Sequence, residues 1–149
     1  MEESNKTTRN RNRKEAGAAT AEIPQSADVT ITLPLPPREL SPNARVHHMV
    51  KAKAVRRYRR AAWACALEAQ APLFGRRPRW AAAKASATFY FPDRWQRDAD
   101  NLLASLKAAF DGLADAGLIA DDAGLTHAPV VVDVDADNPR VEIRLDKLA

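Results

Sequence analysis

Between Ala85 and Gly117 the spacing of apolar side chains changes from two to three and four, which commits the chain to a strand followed by a helix. "KASATFYFPD" alternates Ala85, Ala87, Phe89 and Phe91, and Pro92 closes it because proline cannot extend a ladder. In "RDADNLLASLKAAFDGL" (97–113), Leu102, Leu103, Leu106, Phe110 and Leu113 fall within about a 100° arc of a helix, a face that must pack on the sheet. Asp100, Lys107 and Asp111 line up on the adjacent stripe, with Ala104 between the first two. Gly117, after Ala116, supplies the stop.

The other elements follow from the same periodicities. "VTITLPLPP" begins as a strand through Val29, Ile31, Leu33 and Leu35, and Pro34, Pro36 and Pro37 push it to a sheet edge or out of the sheet. From about Val46 to Ala71 the pattern is helical: Val55, Tyr58, Ala62 and Ala66 make an apolar face that Trp63 and Leu67 widen, and Pro72 and Gly75 end it. The last segment, "APVVVDVDADNPRVEIRLDKL", reads as a hairpin turning at Asp137-Asn138-Pro139, with Val141, Ile143 and Leu145 facing the core. The expected order is β-α-β-α-β-β, an α/β (α+β) single domain on a mixed sheet over residues 28–149. Residues 1–27 are polar, basic and without apolar periodicity, and read as a disordered tail.

At 149 residues the chain is long enough for one domain with a core. It lacks any apolar run near the roughly 20 residues of a membrane span, and its start lacks a signal peptide's apolar stretch. Cys65, among alanines, reads as a buried small hydrophobe, and as the sole cysteine it excludes an internal disulfide. These features fit a cytoplasmic protein with no membrane partner. Charge is more informative. Residues 1–97 carry 19 Lys/Arg against 8 Asp/Glu, whereas residues 98–149 carry 4 against 11. A basic part attracts a polyanion, and an acidic part beside it repels the same polyanion unless its carboxylates hold cations. Lys53, Arg56, Arg57 and Arg60 form a positive helix stripe, Arg59 stands beside it, and "GRRPRW" adds Arg76, Arg77 and Arg79 in a loop.

Two accounts of the acids compete. In the first, Asp98 or Asp100 caps a helix, Lys107 and Asp111 make an ordinary i,i+4 pair, and nothing else is implied. In the second, Asp98 and Asp100 converge at a strand-to-helix junction, and Asp121-Asp122 beyond the same helix adds a second acidic pair. Carboxylates are ligands that Mg²⁺ takes, usually one or two directly with water in the remaining positions. "DVDADN" (133–138) imitates the opening of a calcium loop, but Asn138 stands at the glycine position and Arg144 at the final acid, so it reads as surface acids of the hairpin. His47 and His48, adjacent and so expected to diverge, with His127 distant, do not suggest zinc. No phosphate-binding glycine loop is present, so no nucleotide cofactor is expected.

At these residues the sequence resembles the RusA family of Holliday-junction resolvases, small phage- and prophage-associated endodeoxyribonucleases. The resemblance runs from "LPLPP…SPNAR" through the basic helix to "RDADNLLASLKAAFDGLADAGLIADD" and the end, roughly residues 29–147. It implies a homodimer that cleaves four-way DNA junctions with Mg²⁺ or Mn²⁺. Asp98 and Asp100 match the D-x-D carboxylates, Asn101 the following Asn, and Asp122 the last acid of the D-D pair. Lys107 matches the motif lysine with a shift: five residues separate it from Asn101 where the best-known form has two, and position 104 is alanine.

The combined expectation is a nuclease in which Asp98, Asp100 and Asp122 hold the metal. Lys107 neutralises or orients the phosphate, and Asn101, Lys53, Arg56, Arg57, Arg59, Arg60, Arg76 and Arg77 contact DNA. A nuclease acting on other branched DNA, and a non-catalytic nucleic-acid-binding protein whose acidic half serves dimerisation or charge balance, remain the alternatives.

Overall fold

The computed structural model describes residues 28–74 and 78–148. Its sheet is mixed. Strand β1 (Asp28–Leu33) leads through a 3-10 turn (Arg38–Leu40) into helix α1 (His48–Phe74), and β2 (Ala83–Phe91) follows. Two short helices come next, α2 (Ala99–Ala104) and α3 (Lys107–Asp115). A second 3-10 turn (Asp122–Gly124), β3 (Leu125–His127), β4 (Val131–Val134) and β5 (Arg140–Lys147) complete the described chain.

One face of the sheet carries the core. Val29, Ile31 and Leu33 of β1, Ala83 to Phe91 at alternate positions of β2, and Val141, Ile143 and Leu145 of β5 are buried. Against them pack Tyr58, Ala62 and Ala66 of α1 and Leu106, Phe110 and Leu113 of α3, in one cluster. These are the apolar faces that the periodicity picks out; Leu102 and Leu103 pack on the cluster only in part. Helices α1 and α3 approach closely at Gly112, where a Cβ would lie 2.8 Å from that of Ala62. The Tyr58 hydroxyl donates to the Pro34 carbonyl at 2.7 Å, pinning α1 to the end of β1, and burial pushes this phenol far above its usual range.

The connection between β2 and β3 differs from one unbroken helix. Ser105 Oγ donates to the Leu102 carbonyl at 2.6 Å, and the Leu106 amide bonds three residues back to Leu103 instead of four. This tight turn divides α2 from α3, so Lys107 and Asp111 share a face of α3 while Asp100 belongs to α2. The far end stops as the sequence requires: Gly117 takes φ 79°, its amide bonds Ala114 and the Leu118 amide bonds Leu113, a Schellman closure.

Strand β2 is central, and this corrects the expected hairpin. β5 pairs antiparallel with both β1 and β2, whereas β3 and β4 run parallel to β2 on its other side. β4 and β5 thus flank β2 instead of pairing with each other. The connection between them is organised by Asp135, whose carboxylate accepts the Asp137 and Asn138 amides at 3.2 and 3.1 Å and the Arg140 guanidinium at 2.8 Å. Two alternating segments joined by a turn look the same in sequence whether or not a third strand lies between them.

Smaller expectations also change. α1 continues through Pro72 to Phe74, Cys65 is half-buried, and the His47 and His48 rings lie 4.2 Å apart instead of diverging. The tail, residues 1–27, lies outside the described residues. Among the described residues no helix is long and apolar enough to cross a membrane.

Candidate active site

The loop leaving β2 is fixed before it reaches the first acid. Arg97 lays its guanidinium 3.7 Å over the Phe91 ring, donates to Asp93 at 2.9 Å and donates to the Trp95 carbonyl at 2.9 Å. Asp93 also accepts the Trp95 amide at 3.1 Å, and these bonds hold its carboxyl below the usual range. Asp98 follows in extended conformation as the N-cap of α2, its Oδ1 accepting the Asp100 amide at 2.9 Å. The capping role from the first account is therefore real, and it leaves the second Asp98 oxygen and the exposed Asp100 carboxylate available. Arg97, Asp98 and Asn101 line a cavity of about 370 Å³ against Pro36, Pro37 and Arg38.

A second group forms where α3 passes the turn before β3. Lys107 Nζ donates to Asp111 at 3.0 Å and to Asp122. The Lys107 ammonium holds the Asp122 carboxyl below the usual range, and Asp122 followed by Asp111 raises Lys107. Asp121 caps the 3-10 turn by accepting the Ala123 amide at 3.2 Å. Lys107 and Asp111 line a cavity of about 260 Å³ together with Lys51 of α1, and the two cavities share Ser105.

The structure thus joins Lys107, Asp111 and Asp122, and sets Asp98 further along the trench that the two cavities form through Ser105, while Asp100 lines neither cavity. Asp98 follows the end of β2 at Phe91, whereas Asp122 precedes β3, whose Leu125 is level with Ala83 at the start of β2. The two acidic pairs therefore arrive from opposite ends of one strand. Among the described residues no group of three or more His, Cys, Asp or Glu side chains is placed to hold a metal ion. The donor chemistry nevertheless suits a hard divalent cation, which takes one or two carboxylates and completes its shell with water. Asp98 and Asp100 offer such a pair, and Asp122 offers a further carboxylate, one oxygen of which is turned to Lys107.

The basic face lies mainly on α1. Lys53, Arg56, Arg57 and Arg60 are exposed. Arg59 is engaged instead: its Nε and Nη2 donate to the two Asp115 oxygens at 2.6 and 2.8 Å, tying α1 to α3. Arg76 and Arg77 lie outside the described residues. Sequence reasoning missed Lys51, Ser105 and the Asp93–Arg97 clamp. Asp93 and Arg97 stand four apart, but in a loop and not a helix, so that spacing alone does not pair them. The involvement of Lys51 and Ser105 depends on how α1 lies across the α2–α3 joint.

The family described as "Endodeoxyribonuclease RusA" matches residues 34–146. A protein of Xylella fastidiosa (strain Temecula1 / ATCC 700964), described as "Uncharacterized protein", is 39% identical over 109 residues, 70% of this chain and 67% of that protein.

Proposed function

The chain belongs to the RusA family of endodeoxyribonucleases, and from that premise we propose that it is a divalent-metal-dependent endonuclease that resolves four-way DNA junctions by paired, symmetric nicks in recombination and repair. The observation that carries this reading is the trench itself. Asp98 and Asn101 at one end and Lys107 and Asp111 at the other line two cavities that share Ser105, and Lys51 of α1 lines the second.

In this proposal residues 28–149 form the nuclease domain, and Asp98, Asp100 and Asp122 hold Mg²⁺ or Mn²⁺. The metal, when bound, supplies an activated water and neutralises charge on the scissile phosphate. Lys107, kept cationic by two carboxylates, donates to a phosphate oxygen, and Asn101 hydrogen-bonds the DNA backbone beside the cut. Lys53, Arg56, Arg57 and Arg60 grip phosphates along the arms, with Arg76 and Arg77 assigned to the same role. Arg59, already bidentate with Asp115, contributes mainly by fixing α1 against α3.

A homodimer suits the two-fold symmetry of paired cuts. β4 supports it: Val131, Val132 and Val134 are 54%, 44% and 39% exposed on a strand that, among the described residues, pairs with β2 alone. An unpaired apolar edge is a surface that a second copy can cover.

The purified protein, incubated with a synthetic four-way junction with and without Mg²⁺, should give symmetric nicks only with metal and leave a linear duplex intact. Cutting a flap in preference to the junction would reassign the substrate. Metal-independent binding without product strands would remove the catalytic reading.

A further inference from the structure

Trp95 is 77% exposed, the most exposed of the large hydrophobic side chains among the described residues. Exposure of an indole on this scale has no account in the fold, because Trp80 is buried in the core and even Trp63 is only 37% exposed. The backbone that carries Trp95 is, by contrast, held on both sides. Its amide donates to Asp93 at 3.1 Å and its carbonyl accepts from Arg97 at 2.9 Å. Arg97 is itself bound to Asp93 at 2.9 Å and stacked on Phe91, the last residue of β2. A rigid turn therefore presents a bare aromatic face three residues before Asp98, between the exposed Arg94 and Gln96.

Resting on the junction-nuclease reading, we propose that Trp95 is a base-stacking platform that takes an unpaired or splayed base at the DNA branch point and so sets which phosphate enters the trench beside Asp98. Every base has a face on which an indole can stack, so the contact does not require a particular sequence. Paired bases within a duplex are stacked on both faces, whereas at a branch point the strands exchange and opening the junction frees base faces there. Trp95 thereby discriminates branched from linear DNA, a task that the phosphate-binding arginines of α1 cannot perform because every duplex presents phosphates. The clamp matters because a platform already fixed in place loses little freedom on binding.

The test compares wild type, Trp95→Ala and Trp95→Phe on a four-way junction and on a linear duplex of the same arms, in Ca²⁺ to prevent cutting. A 2-aminopurine placed at the branch point reports stacking. Trp95→Ala should bind the junction about 5- to 150-fold more weakly, the range of one lost base–aromatic stack. It should bind the duplex within about twofold of wild type and fail to quench the branch-point 2-aminopurine. Trp95→Phe, which keeps a ring, should retain most of the junction preference. Equal junction preference in wild type and Trp95→Ala overturns the inference alone. A wild-type protein that does not prefer the junction overturns the functional reading and this inference with it.

Discussion

Lys107 of α3 donates to the Asp122 carboxylate of the turn before β3, across 15 residues of chain, while holding Asp111 one helical turn ahead. One ammonium group thus ties the helical connection to the start of the parallel edge and stays charged beside the trench. Lys107→Met should lower junction nicking by about 10²- to 10³-fold, the scale on which a single charge-stabilising donor acts. Binding in a gel shift should change much less. Nicking at wild-type rate by Lys107→Met would remove Lys107 from the chemistry and leave only the tie.

Asp98 and Asp100 separate capping from catalysis. Asp98→Asn keeps an acceptor for the Asp100 amide, so stability in urea should hold, whereas Asp98→Ala should cost about 1 kcal/mol as a lost cap. Both should lose metal-dependent nicking. Asp100→Asn, which gives up no hydrogen bond that builds the fold, should abolish nicking with junction affinity intact. Cleavage surviving Asp100→Asn would withdraw that residue from the site.

The Lys107–Asp122 pair fixes a pH window. The Asp122 carboxyl is held down, so its contribution is present above the ordinary carboxylate value of about 3.9 and disappears as pH falls through its lower folded value. Lys107 is raised, so its contribution is present below the ordinary lysine value of about 10.4 and disappears as pH rises through its higher folded value. The pair should therefore stay ionised from about pH 4 to pH 10. A carbon-detected NMR titration that places Asp122 at the ordinary carboxylate value would contradict the pairing.

The arginines of α1 should fall into two groups. Arg56→Ala and Arg60→Ala should weaken binding to all DNA alike and each reduce the salt slope by about 1. Arg59→Ala should instead lose the Asp115 tie, costing about 0.2–1 kcal/mol because the pair is solvent-exposed, with a smaller change in salt slope. Equal slopes for the three variants would mean that Arg59 leaves Asp115 to bind DNA.

Gly112 measures the contact between α1 and α3. A methyl group there meets the Arg59 carbonyl and Ala62, so Gly112→Ala should destabilise by about 1–3 kcal/mol in spite of alanine's better helix propensity. Thermal melting reads this directly. An unchanged or higher midpoint would show that the two helices can move apart at no cost.

The elements that build the core were legible in the sequence because burial imposes a period. Alternation placed β1, β2 and β5, and the three-and-four spacing placed Tyr58, Ala62 and Ala66 and, beyond the joint, Leu106, Phe110 and Leu113. A cap at Asp98 or Asp100, of which the structure takes Asp98, Gly117 as a stop and Lys107–Asp111 as a pair were also readable, since each depends on atoms within a turn of one another. The order of strands was not readable. Local periodicity records which face of a strand is buried, not which neighbour its backbone bonds, so the insertion of β2 between β4 and β5 left no mark on it. The joint at Ser105, the capture of Arg59 by Asp115 and the meeting of Lys107 with Asp122 were likewise settled in three dimensions. Each depends on distances between segments far apart in sequence, and those distances exist only once the helices are packed on the sheet.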